Sequence, residues 1–145
     1  MILLIGRQGS RGLHPVEVPP ETDSAICPAG AMRAFAPEPF GPVFRSAPDR
    51  RLTRQGITRL VERAITATAV TPVARVAGFP KLDAVGRARL AGHLAQPAPV
   101  DARDRAIITN LYWGCFRGSE LAAMLAPRPA VRPAHVTNRA GLAPM

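Results

Sequence analysis

The stretch Asp101 to Leu125, DARDRAIITNLYWGCFRGSELAAML, runs free of proline in a chain that contains 16 of them. Ile107, Leu111, Cys115, Leu121 and Leu125 follow closely the i, i+4, i+7 spacing of a helix face set against a core. The spacing predicts one internal helix over 101–125. Asp101 suits its N-cap, Asp104 adds negative charge to its first turn, and Pro127 stops the pattern. Gly114 and Gly118 each weaken a helix by roughly 1 kcal/mol relative to alanine, and so signal a close backbone approach or a bend. Arg117 lies between them. In this apolar, small-residue run its guanidinium is costly to desolvate unless it meets an anion. The internal alternative is a pair with Glu120.

Across Arg103 to Leu125 the chain resembles the first arginine box of the tyrosine recombinases, also called phage integrases. The match is carried by Arg103, Asp104, Arg105 and Ala106 at a charged helix start, by Gly114 after an apolar run, and by Arg117, Ser119, Glu120 and Leu121 as R-x-S-E-L. In that family the arginine contacts the scissile phosphate of DNA. The resemblance therefore implies that Arg117 is a catalytic, phosphate-binding residue. It also implies an α+β, mainly α-helical fold: a partial recombinase-like catalytic domain with a small N-terminal β-hairpin and a disordered C-terminal tail.

The first 70 residues are similar to the recombinase region that follows this box. Met1 to Ile5 is β-prone, Gly6 to Gly12 is a basic glycine-rich turn, and Leu13 to Val18 returns, with Pro15 confining one strand to an edge. Cys27, Pro28, Ala31, Met32, Arg33 and Ala34 match the family's next helix, proline suiting a first turn. Gly41 to Arg45 matches its short G-P-[VL]-F-R strand. Thr53 caps a second clear helix, LTRQGITRLVERAITAT, whose apolar stripe is Ile57, Leu60, Val61, Ala64 and Ile65. Arg54, Arg59 and Arg63 lie off that stripe. With Arg103 and Arg105 they are the candidate DNA contacts, although solvated surface charges need no such partner.

Several family parts are displaced. The family hairpin presents a lysine, but the only lysine here is Lys81; Arg7 and Arg11 supply charge in that hairpin, and arginine is a poor proton donor. Where the H-x-x-R box would fall, Phe79 replaces the histidine and Leu82 the arginine. Leu82 to Leu94 predicts a shorter helix, on which His93 is a surface or packed residue. His135 to Ala143 loosely resembles H-x-x-R-A-G, with His135 and Arg139 as remote candidates. The only tyrosine, Tyr112, lies five residues before Arg117 on the predicted helix, roughly 140° around it at 3.6 residues per turn, and reads as packing beside Trp113.

The blocks are also swapped. Residues 1–70 resemble the middle of a recombinase catalytic domain, 71–100 a short helix and linker, 101–126 the first arginine box, and 127–145 a disordered tail. A circular permutation, a fusion of truncated copies and a decayed reading frame all produce this order. The expected function is a recombinase-derived fragment that binds DNA through its arginines and does not cleave and rejoin it alone. The alternative is a small basic helical protein, or a decayed reading frame, without recombinase function.

A formal charge of +9, nearly all arginine, favours a polyanionic partner. A GC-rich genome inflates alanine, arginine, glycine and proline together and accounts for part of it. Cys27 and Cys115 are too few for a disulfide framework or a metal site, so no metal or cofactor is expected and the thiols read as reduced in a cytoplasmic protein. MILLIG lacks a basic start and a small-residue cleavage site and reads as a strand. No run approaches the roughly 18 apolar residues that span a bilayer, so no membrane partner is expected. Walker-type loops, G-x-S-x-G and H-E-x-x-H are absent.

Overall fold

The computed structural model describes residues 2–6, 13–17, 26–38, 41–76, 78–97, 100–114 and 116–126. The fold mixes α and β. The expected hairpin forms from β1 (Ile2–Gly6) and β2 (Leu13–Glu17), antiparallel, with Leu4 opposite Pro15. It extends into a four-stranded antiparallel sheet ordered β2-β1-β8-β3, where β3 is Gly41–Pro42 and β8 is Leu125–Ala126. Pro15 lies on an edge strand, where the missing N–H breaks no central ladder.

Helix α1 (Pro28–Phe35) starts as its sequence predicts, with Pro28 in the first turn and the Cys27 thiol accepting the Gly30 N–H at 3.2 Å. It packs on α4 (Ala102–Tyr112), while Phe35 stacks on Phe44 with ring centroids 5.6 Å apart. The expected strand at Gly41 to Arg45 is split. Gly41 and Pro42 pair with β8, Val43 and Phe44 turn into the core, and β4 (Arg45–Ala47) starts a separate hairpin with β5 (Arg50–Arg51).

Helix α2 (Arg54–Ala67) buries the whole predicted stripe of Ile57, Leu60, Val61, Ala64 and Ile65, and Thr53 accepts the Gly56 N–H at 3.1 Å. Within the segment 71–100, expected to hold only a short helix and linker, comes a hairpin, β6 (Ala74–Val76) with β7 (Phe79–Lys81), turning at Gly78 with φ +87°. Helix α3 (Ala84–Ala95) begins two residues later than expected because the Asp83 carboxylate caps it, accepting the Gly86 N–H at 2.7 Å.

The single helix expected over 101–125 is two. Asp101 does cap α4, accepting the Asp104 N–H at 2.8 Å, and Ala106 to Asn110 are buried on every side. The helix then stops at Tyr112. Trp113 and Gly114 both donate to the Thr109 carbonyl, and Phe116 donates to that of Asn110. The chain thus folds over its own last turn so closely that a Cβ on Gly114 would lie 2.8 Å from the Asn110 carbonyl oxygen. Arg117 is extended, with ψ 152°, and a short α5 (Gly118–Ala122) restarts with the Arg117 N–H donating to the Glu120 carboxylate at 2.9 Å.

One apolar cluster gathers Cys27 and Met32 from α1, the α2 stripe, Leu90 and Leu94 of α3, Ile107 and Ile108 of α4, and Leu121 and Met124. The segments resembling different recombinase blocks therefore share a core. Arg7, Arg11, Cys115, the tail 127–145, and with it Pro127, His135 and Arg139, lie outside the described residues. No helix among the described residues is long and apolar enough to cross a membrane, and none of them form a group of three or more metal-binding side chains.

Candidate functional site

Breaking the helix before Arg117 changes what that arginine does. Arg117 is not a buried charge within a helix but an exposed side chain at the start of α5. Glu120 is occupied by the Arg117 backbone N–H, and no carboxylate among the described residues forms an ion pair with the guanidinium. The internal pairing is thereby replaced by helix capping.

Arg117 opens onto a cleft of about 550 Å³. Its walls come from four places: Arg54 at the start of α2, the β6–β7 hairpin with Phe79 and Lys81, Arg87 on α3, and the α4–α5 junction with Leu111, Tyr112, Phe116 and Ser119. Among the described residues four cations line it and no carboxylate does. The fold thus gathers like charges from separate elements, which raises the local positive potential and favours an anion.

The hairpin is fixed against this junction at two points. Tyr112 donates its hydroxyl to the Pro80 carbonyl at 2.8 Å. The Phe79 ring lies directly over Gly118, where a Cβ would come within 2.2 Å of its Cζ, and the Arg54 guanidinium stands 5.8 Å from the ring centroid on a cation–π approach. Burial pushes the Tyr112 phenol up to about 12, helped by the negative charge of Glu62 and opposed by Arg87 and Arg75. Its edge-on contact with Trp113, 6.2 Å between centroids, agrees with a packing role. The helical angle between Tyr112 and Arg117 expected from sequence does not apply, since α4 ends between them. Both line the same cleft.

Of the candidate DNA contacts, the structure brings only Arg54 to Arg117. Arg59, Arg63 and Arg103 line a separate depression with Glu62, whose carboxyl is held below its ordinary range by its hydrogen bond and ion pair with Arg75. Arg103 chelates Asp104 through Nε at 2.9 Å and Nη2 at 2.8 Å and donates Nη1 to the Arg45 carbonyl. Arg105 donates to the carbonyls of Gln96 and Val100. Sequence reasoning missed Lys81 and Arg87. The signal for Lys81 was available in Gly78-Phe79-Pro80-Lys81, a turn followed by a short strand that carries the only lysine. Arg87 carried none, because its place at the cleft depends on how α3 docks.

No protein-family model, curated protein or solved structure matches the chain.

Proposed function

We propose that the chain binds DNA through phosphate contacts centred on Arg117, as a tyrosine-recombinase-derived fragment that does not cleave and rejoin DNA alone. The observation that carries this reading is the cleft itself: Arg117, Lys81, Arg87 and Arg54 converge on it with no lining carboxylate among the described residues. Arg117 supplies the planar fork that suits a phosphate, and Lys81 a compact point charge. The R-x-S-E-L resemblance supports the same assignment for Arg117, while Lys81 lies outside the segment that the resemblance equates with the family's lysine-bearing hairpin. Cleavage lacks a nucleophile, because the single tyrosine spends its hydroxyl on Pro80 and resists deprotonation. Retention in the cytoplasm, with DNA as the partner and no cofactor, belongs to this same reading.

A second reading, a small basic helical protein or decayed reading frame without recombinase function, is favoured by Arg103 and Arg105, whose donors serve the chain's own carbonyls and Asp104. Salt titration of binding to a labelled duplex separates the two. Under the DNA-binding reading the affinity falls steeply with salt, and Arg117→Ala lowers the slope of log K against log salt by about 1. Arg89→Ala, on an exposed residue outside the cleft, leaves both affinity and slope close to those of the parent protein. An Arg117→Ala protein that binds like the parent would rule out the cleft.

A further inference from the structure

We infer that the Arg117 cleft takes one unpaired nucleotide of a DNA single strand, its phosphate on Arg117 and Lys81 and its base against Leu111 and Tyr112. This rests on the reading of the cleft as a phosphate site and names the form of nucleic acid that fits it.

The first ground is the shape. A cleft of about 550 Å³ falls within the range of sites that enclose a small ligand. Duplex DNA presents its phosphates on the outside of a wide cylinder and keeps its base faces stacked within, so it can touch the rim of such a cleft but cannot fill it. An unpaired nucleotide has a free base face and a backbone that turns.

The second ground is the lining. Beside the cations the lining is apolar, from the half-buried Leu111 and Tyr112 at the end of α4 to the half-buried Phe79 of the hairpin, with Leu82 and Phe116 exposing only edges. Phosphate contacts alone would leave that surface unused. Positive charge along one side and aromatic or aliphatic surface beside it is the arrangement by which single strands are held, through backbone electrostatics and base stacking. Tyr112 suits the second task, because its hydroxyl is already satisfied by the Pro80 carbonyl and its ring is left as a neutral face.

The third ground is what the lining lacks. Among the described residues no asparagine, glutamine, aspartate or glutamate lines the cleft, and Ser119 is the lining residue that carries a small hydroxyl. The amide and carboxylate side chains that pair with adenine and cytosine edges are therefore missing from this lining, and with Arg117 and Lys81 given to the phosphate, base discrimination is weak.

The test uses the full chain and follows Trp113 fluorescence, since that residue contacts Tyr112 edge-on at the cleft wall and is the only tryptophan. The probes are a mixed-sequence single-stranded DNA oligonucleotide, the same sequence as a duplex, and deoxyadenosine monophosphate, at one fixed salt concentration. The expected result is single-strand binding about tenfold tighter than duplex binding, the size of one stacked base. Arg117→Ala and Lys81→Ala, both at exposed positions, each weaken single-strand binding by about tenfold. Tyr112→Leu, with folding checked by circular dichroism, abolishes the single-strand preference and keeps the duplex affinity. Single strand and duplex bound equally, both sensitive to Arg117, would overturn this inference and leave the phosphate site standing. Binding of neither would overturn both. Tight single-strand binding indifferent to Arg117 and Lys81 would place the strand elsewhere, and a mononucleotide bound as tightly as the oligonucleotide would assign the cleft to a free nucleotide instead.

Discussion

Gly118 shows how one missing side chain sets the geometry of the cleft. At a helical position alanine is ordinarily favoured over glycine by roughly 1 kcal/mol. Here the added Cβ would meet the Phe79 ring at 2.2 Å, which the backbone cannot absorb without moving the hairpin or α5. Overpacking of this kind costs about 1–3 kcal/mol and outweighs the propensity gain. We expect Gly118→Ala to lower the urea midpoint and to weaken the proposed phosphate binding at the same time, whereas Gly92→Ala, which meets nothing within 4 Å, raises the midpoint. Tyr112 offers a second test at this scale. Because it is the only tyrosine, its ultraviolet absorbance reports one phenol, and the ionisation should centre near 12 rather than at the ordinary 10.0. In this window the unfolded chain releases its proton first, so this group's contribution to stability is complete below 10.0 and is lost as pH rises towards 12. A midpoint at the ordinary value would show that the phenol is not buried in solution.

Among the elements, the caps were legible from sequence and the breaks were not. Thr53 and Asp101 sit where a short polar side chain precedes an apolar period, and each accepts the expected backbone N–H. Asp101→Ala should therefore cost about 1 kcal/mol in chemical denaturation, within the usual range for a lost N-cap. A loss of less than a few tenths would mean that tertiary packing alone holds the start of α4. The α2 stripe was equally legible, since periodicity over four turns leaves little choice of face. The junction at Trp113 to Arg117 was written as Gly114 and Gly118, which indicated a bend or a close approach and in fact provide both. Periodicity could not reveal it, because α5 resumes with its apolar residue Leu121 again facing the core. The β6–β7 hairpin was missed for a related reason. Its strands are three residues each and largely exposed, so no alternating apolar pattern announces them. What holds them in place is contact with Tyr112 and α5. The candidate site was thus legible at Arg117 and Arg54, and invisible wherever it depended on that docking.

At the scale of the whole molecule, β8 closes the sheet. Two residues near the end of the described chain insert between β1 and β3, with Leu125 opposite both Leu4 and Pro42. The Val43 N–H adds a bond to the Met124 carbonyl beside them at 3.0 Å. A chain truncated after Ala123 should lose these pairings together. We expect its thermal midpoint to fall by roughly 5–10 °C, the shift produced by a loss of a few kcal/mol in a domain of this size. An unchanged melt would show that the helices alone form the cooperative unit.

That central strand also sets a timetable for biosynthesis. β1 leaves the ribosome early and its inner partner late, separated by the time needed to translate residues 7–124, roughly ten seconds at ordinary elongation rates. Throughout that interval β1, and from its own synthesis onward β3, expose the edges that β8 will later cover, and such edges pair readily with any extended chain nearby. Slowing translation before Leu125 should therefore increase the share of newly made protein found in inclusion bodies, a hazard invisible once the sheet has closed.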